Sequence, residues 1–184
     1  QAKVSTRLVT WLLDAVVTIT NSTFTGNEAL NAQNLPGDDW HRGFGGAIRT
    51  SENTTIINST LVDNHAGFVG GAIAGGATVR NTIIAHNSGG NVWQIQQNCT
   101  GELTNGGHNI QFPQRLTGNG NDYECFAGQT AVNPLTGSLG DYGGPTETVP
   151  LLDGSPAINA ATNCPAADQR GFARLGACDI GAFE

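Results

Sequence analysis

The chain has 184 residues, enough for one domain with a real core, of which 12% are charged and 38% hydrophobic. Eight Lys and Arg stand against 15 Asp and Glu, a formal charge of −7, and the basic residues are scattered, which excludes a nucleic-acid surface. Abundant Asn and Thr, 26 Gly and no Met point away from a helical enzyme and toward an extracellular β protein.

Residues 1–15 are ambiguous. The run Arg7-Leu8-Val9-Thr10-Trp11-Leu12-Leu13 reads as a buried strand or as a short capping helix. An apolar patch of that size signals an interface. Leu8, Trp11, Leu12 and Leu13 are therefore assigned to an N-terminal cap or to self-association through this end.

From 16 to 97 the chain repeats itself. Asn21-Ser22-Thr23-Phe24-Thr25-Gly26-Asn27 returns as Asn58-Ser59-Thr60-Leu61-Val62-Asp63-Asn64, and again, worn, as Asn81-Thr82-Ile83-Ile84-Ala85-His86-Asn87. Each copy follows a β-type run, at 17–20, 54–57 and 77–80. A second phrase, Gly-Gly-Ala-Ile, stands at 45–48 and 70–73. Short β-runs broken by Gly and Asn, with a period in the low twenties, are the signature of a stacked solenoid. A longer first interval predicts an insertion over 28–44. Val17, Ile19, Phe24, Ile56, Leu61, Val79 and Ile84 are expected to form inward apolar ladders. Asn21, Asn58 and Asn81 are expected to form an Asn ladder at a bend, where Asn tolerates left-handed backbone. Residues 92–97 predict another strand.

Within the insertion, Asp38, Asp39, Trp40, His41 and Arg42 give the densest mix of functional groups in the solenoid. They are the candidate ligand or partner contact, a glycan among the possibilities; a surface loop without chemistry is the simpler reading.

After Cys99 the repetition fades, although 102–104 and 107–110 look like worn rungs. Four Cys suggest two disulfides, and sequence neighbours pair best: Cys99 with Cys125, Cys164 with Cys178. No Cys-x-x-Cys spacing supports a zinc site. Disulfides imply an oxidising compartment, hence secretion or a cell surface. No signal peptide and no apolar stretch of membrane length is found, so the chain reads as a mature or trimmed fragment of a longer secreted protein. Asn119, Asn121, Asp122 and Glu124 form an oxygen-rich turn of the kind calcium uses, but the spacing fits no standard loop and a solvated turn is simpler. No other cofactor is expected. Asn-x-Ser/Thr occurs at Asn21, Asn53, Asn58 and Asn98, which would be glycan acceptors in a eukaryotic secreted protein.

The last third carries distinctive phrases: Asn133-Pro134-Leu135, Gly143-Gly144-Pro145-Thr146, Gly154-Ser155-Pro156-Ala157-Ile158, Asp168-Gln169-Arg170-Gly171 and Asp179-Ile180-Gly181-Ala182-Phe183-Glu184. On these the chain resembles the C-terminal part of bacterial secreted right-handed parallel β-helix proteins, of the polymorphic-outer-membrane-protein-like or choice-of-anchor type. One departure is Asn159-Ala160-Ala161, where Asp-Ala-Gly is commoner in that family. With the repeats, the resemblance implies an all-β fold: a single-stranded right-handed parallel β-helix (β-solenoid) with a disulfide-stapled C-terminal end. It also implies an extracellular address, but no activity. Residues 98–184 would then be irregular rungs and a cap, with Asp168, Arg170 and Asp179 as a buried network sealing the last rung.

Carbohydrate chemistry needs carboxylates at defined separations. Asp38 and Asp39 share a loop and Asp63 sits on a corner, yet no Asp pair recurs at stacking positions, and Arg49 and Arg80 lack the acid cluster a lyase needs. His41, His65, His86 and His108 share no register. A regular Thr face is not expected, since the third rung offers only Thr78 and Thr82. The expected function is an extracellular structural or adhesive β-solenoid of a cell surface or matrix, with self-assembly. A carbohydrate- or partner-binding surface module is the alternative, and a polysaccharide lyase or hydrolase is least favoured.

Overall fold

The computed structural model describes residues 16–31, 43–50, 53–91, 93, 95–116 and 123–184. Among them there is no helix, and every strand is two to four residues long. β1 (Val17–Thr20), β2 (Thr23–Thr25), β3 (Glu28–Ala29) and β4 (Ile48–Arg49) come first. The same order returns as β5 (Thr54–Ile57), β6 (Thr60–Val62), β7 (His65–Ala66) and β8 (Ile73–Ala74). It returns again as β9 (Thr78–Arg80), β10 (Ile83–Ala85) and β11 (Ser88–Gly89), with Cys99 bridging Ile73 in the fourth place. β12 (Thr104–Asn105) and β13 (Ile110–Phe112) open a further turn. Equivalent strands pair in parallel, in the orders β1-β5-β9-β12, β2-β6-β10-β13, β3-β7-β11 and β4-β8. This all-β stack of parallel sheets is consistent with a β-solenoid.

Residue chemistry places the bends. Asn21, Asn58 and Asn81 follow β1, β5 and β9 with φ of 49°, 44° and 50°. At the next bend Gly26, Asp63 and His86 have φ of 63°, 56° and 57°. Non-glycine residues reach this region at a cost, and short polar side chains lessen it by bonding locally. The glycines of Gly-Gly-Ala-Ile do two different jobs. Gly45 and Gly70 take φ of 69° and 72°. Gly46 and Gly71 lie where rungs touch: a Cβ on Gly46 would overlap the Gly71 carbonyl oxygen, and one on Gly71 the Ser88 nitrogen.

Within the rungs, two stretches differ in detail from the sequence pattern. The insertion is narrower than 28–44, because Glu28 pairs with His65 and Phe44 bridges Val69. The step to the next rung is 37 residues at Glu28 and 25 at Phe44, so the extra dozen enter between Ala29 and Phe44. In 92–97, Trp93 and residues 95–97 lie outside any strand. Asn91 causes this: its Oδ1 accepts the N–H of Trp93 (3.2 Å) and of Ile95 (3.3 Å), which turns the chain out of the sheet.

Register makes two cores. Ile56 and Val79 stack, as do Leu61 and Ile84, and these side chains fill the interior with Ala72, Ile73 and Leu103. Phe126, fully buried, plugs the interior beyond β12 and β13. Its loop is fixed by Gln111, whose Oε1 accepts the N–H of Cys125 (2.9 Å) and Phe126 (3.2 Å), and by the Cys99–Cys125 disulfide. Burying such a side chain contributes roughly 1.5–3 kcal/mol. At the other end Ile19 and Phe24 are only partly buried.

The second core is outside the solenoid. Val62, Ile83, Ala85 and Ile110 face away from the interior and pack against Val149, Ala157, Ala161, Cys178 and Ile180. Residues 133–184 thus form a clasp along the side of the stack. Asn21 Nδ2 donates to the Ala167 carbonyl (2.8 Å), Ala182 N to Thr60 Oγ1 (3.1 Å), Gly181 N to the Asn81 carbonyl (2.9 Å), and His108 Nδ1 lies 2.9 Å from the Ala160 carbonyl. Every rung is touched. Asp168, Arg170 and Asp179, expected to seal the last rung, lie in this clasp, while Phe126 and Gln111 stand at the end of the interior. The physical reason is that β6 and β10 are apolar on both faces, so their outer face must be covered.

Candidate functional site

The predicted contact residues Asp38, Asp39, Trp40, His41 and Arg42 lie outside the described residues, as do Leu8, Trp11, Leu12 and Leu13. So do Asn119, Asn121 and Asp122 of the proposed calcium turn. Its remaining member, Glu124, is already engaged. Its Oε1 accepts from Gln114 Nε2 (3.2 Å) and lies 3.6 Å from Arg115, and its Oε2 accepts the Gly128 N–H (3.0 Å). Among the described residues no group of three His, Cys, Asp or Glu is placed to hold a metal.

The clasp carboxylates serve the backbone. Asp168 Oδ1 accepts the N–H of Arg170 (2.9 Å) and Phe172 (3.1 Å); its Oδ2 accepts Arg170 Nε (2.8 Å) and the Glu184 N–H (3.2 Å). Arg170 is stacked between the rings of Phe172 (4.7 Å) and Phe183 (3.7 Å). Glu184 pairs with Arg174 at 2.9 Å. Asp179 Oδ1 accepts the Asn159 N–H at 2.7 Å. Burial holds the Asp179 carboxyl above its ordinary pKa; the Asn159 bond opposes this, Glu184 adds to it and Arg174 opposes it. A cleft of about 420 Å³ opens beside the Cys164–Cys178 disulfide, lined mainly by small clasp residues and by Arg174, whose Nε is buried without a hydrogen-bond partner among the described residues.

Of the expected ladder of Asn21, Asn58 and Asn81 only the last two are joined through their side chains, Asn21 giving its amide to the Ala167 carbonyl, and a longer ladder runs beside them. Asn81 Nδ2 donates to Asn58 Oδ1 (3.0 Å), and the Asn58 amide continues to the Asp179 carbonyl (3.3 Å). The longer ladder was not anticipated: Asn27 to Asn64 (2.8 Å), Asn64 to Asn87 (2.8 Å) and Asn87 to Asn98 (2.9 Å), each an Nδ2 donating to an Oδ1. Its signal was the second Asn of each repeated phrase. Among the four glycan acceptors only Asn53 is exposed; Asn58 and Asn98 are buried and Asn21 is half-buried against the clasp. The histidines serve separately: His65 Nδ1 is 3.0 Å from Ser88 Oγ, and His86 packs on the Phe112 ring.

The register does assemble one threonine rank that the sequence pattern hid. Thr18, Thr55, Thr78 and Thr104 stand one above another. The row beside it reads Thr20, Ile57 and Arg80, so the rank has no parallel companion.

Aromatic side chains collect at the bend near Phe44. Phe44 meets Phe68 edge-on at 5.5 Å, Phe68 meets Trp93 at 5.6 Å, and Arg49 lies over Phe44 at 5.1 Å. Phe68, Val69, Trp93, Gln97, Thr100 and Tyr123 line a cleft of about 190 Å³. Gln97 is buried and its Oε1 accepts the Gly70 N–H (3.1 Å), which fixes the floor. The sequence signal was partial: Phe44 and Phe68 each stand just ahead of a Gly-Gly-Ala-Ile phrase, whereas Trp93 and Tyr123 belong to no repeat.

Comparisons with protein-family models, with curated proteins and with solved structures give no match to this chain.

Proposed function

We propose that this chain is part of an extracellular structural or adhesive scaffold, a right-handed parallel β-helix of the polymorphic-outer-membrane-protein-like or choice-of-anchor type that acts by contact and not by turnover. The disulfides staple its C-terminal half in an oxidising environment. The observation that carries this reading is the use made of the clasp carboxylates. Asp168, Asp179 and Glu184 spend their oxygens on backbone N–H groups and arginines. A catalytic pair needs a free acid and a free base facing a substrate; these groups are bound into the fold instead. The test is incubation with neutral and acidic polysaccharides. Release of reducing or unsaturated ends overturns the reading; adsorption without release supports it.

A second reading, self-association, is favoured by the difference between the ends. Phe126 closes one end of the interior, while Ile19 and Phe24 remain half-buried at the other, on β1 and β2, whose outer edges pair with no strand among the described residues. Head-to-tail contact of that kind propagates. Light scattering over a concentration series decides it: a constant monomer mass sinks self-association.

A further inference from the structure

We propose that the cleft between Trp93 and Tyr123 is a binding site for one neutral pyranose ring of an extracellular polysaccharide. The proposal rests on the reading above, that the chain acts by contact, and names the ligand class. Trp93 is 39% exposed and Tyr123 44%, so two large aromatic surfaces are left to water in one small cleft. The indole N–H of Trp93 and the hydroxyl of Tyr123 make no hydrogen bond among the described residues. Thr100 Oγ1 accepts the Gly75 N–H at 3.1 Å, which leaves its own proton to donate. Apolar ring faces flanked by donors and acceptors match a sugar, whose C–H face lies on an aromatic ring while its hydroxyls bond at the edge.

Other occupants fit less well. Among the described residues no Lys or Arg lines the cleft, so a uronate or a sulfated sugar finds no countercharge there. A peptide that binds by strand addition needs an open strand edge. Here the Gly70 N–H is taken by Gln97 Oε1 and the Gly71 N–H by the Gln97 carbonyl (2.8 Å). At about 190 Å³ the cleft falls below the roughly 300–1,000 Å³ of sites for drug-sized ligands, which limits it to a single ring. Stacking on Phe68 accounts for one part of the Trp93 indole and leaves the solvent-facing part without a structural task.

The test is a titration of the whole isotopically labelled protein, following the indole N–H resonance of Trp93. The probes are methyl β-D-glucopyranoside, methyl α-D-mannopyranoside and galacturonate. A saturable shift with one of the neutral glycosides is expected, with a dissociation constant around millimolar for so small a ligand. Trp93→Ala and Tyr123→Ala should each weaken binding about ten-fold, while Trp93→Phe, which keeps a ring, should retain part of it. Both residues are exposed, and unchanged dispersion of the remaining amide resonances reports that the variants fold. The proposal is overturned by no shift with either neutral glycoside, by preference for galacturonate, or by undiminished binding in the alanine variants. Failure of sugar binding without any cleavage of polysaccharide removes this site and leaves the scaffold reading standing. Cleavage with intact sugar binding removes the scaffold reading and leaves the site.

Discussion

Asn64 and Asn87 are joined through their side-chain amides in the interior: Nδ2 of Asn64 donates to Oδ1 of Asn87 at 2.8 Å, and the two residues are 1% and 0% exposed. Asn64 Nδ2 also reaches the carbonyls of Phe24 (3.0 Å) and Val62 (3.1 Å), and its Oδ1 accepts the Asn27 N–H (3.1 Å). One side chain therefore satisfies backbone groups of two rungs. Replacing it by Ala leaves those groups buried and unpaired, at roughly 1–3 kcal/mol for each one that water cannot reach. Asn64→Ala should cost about 3 kcal/mol or more in urea unfolding. Asn27→Ala, at the half-buried end of the same ladder, should cost much less. Equal losses at the two positions would show that the ladder adds nothing beyond local turns.

Gly71 offers a test of rung spacing. Its Cβ would run into the backbone of Ser88, which cannot step aside without breaking the β7–β11 pairing. Gly71→Ala should cost roughly 2 kcal/mol or more through backbone displacement. Gly101 has open space and no left-handed φ, so Gly101→Ala should be neutral or stabilising by about 0.5 kcal/mol. Thermal midpoints measured side by side check the contrast.

The two disulfides should fail differently. Cys99–Cys125 closes 26 residues and Cys164–Cys178 closes 14, each worth roughly 3 kcal/mol by loop closure. Replacing Cys164 and Cys178 with Ala should loosen the clasp and open the apolar outer face at Val62, Ile83 and Ala85, which dye binding at sub-denaturing urea would detect. Replacing Cys99 and Cys125 should instead release Phe126 and unravel β12 and β13 first, seen as fast amide exchange there. The same exchange pattern from both pairs would mean that clasp and plug unfold as one unit.

The rungs were legible because solenoid stacking writes its register into sequence: equivalent residues touch, so phrases recur. The paired runs at 17–20, 54–57 and 77–80 became β1, β5 and β9 with little change. The clasp was harder to place, although its trace was present. A strand with one wet face alternates, but Thr60-Leu61-Val62 and Ile83-Ile84-Ala85 do not, and such runs mark burial on both faces. What covers the outer face lies about a hundred residues away, in a segment whose own phrases resemble a terminal cap. Asn98 was missed because it joins its ladder after an irregular step of 11 residues from Asn87. The aromatic cleft depends on Trp93 and Tyr123, which irregular loops bring together and no periodicity reports.

Asp179 gives the chain a pH dependence of defined sign. Its carboxyl is buried beneath the clasp, and burial raises its pKa above the ordinary 3.8, with Asn159 and Arg174 opposing and Glu184 adding to the shift. The folded protein therefore holds this proton more tightly than the unfolded chain does. The stabilisation is fully present below the unfolded value and is lost as pH rises through the folded one, so near neutrality the ionised group works against folding. Asn in its place keeps an oxygen for the Asn159 N–H and carries no charge to desolvate. Asp179→Asn should thus be at least as stable as the parent at pH 7, and this relative advantage should disappear near pH 3, where the parent carboxyl is protonated. Urea midpoints of the two proteins at both pH values give the difference directly, and common acid effects elsewhere cancel. A variant that loses stability at pH 7 and recovers it at pH 3 would mean that the Arg174 attraction outweighs the cost of burial, which reverses the sign.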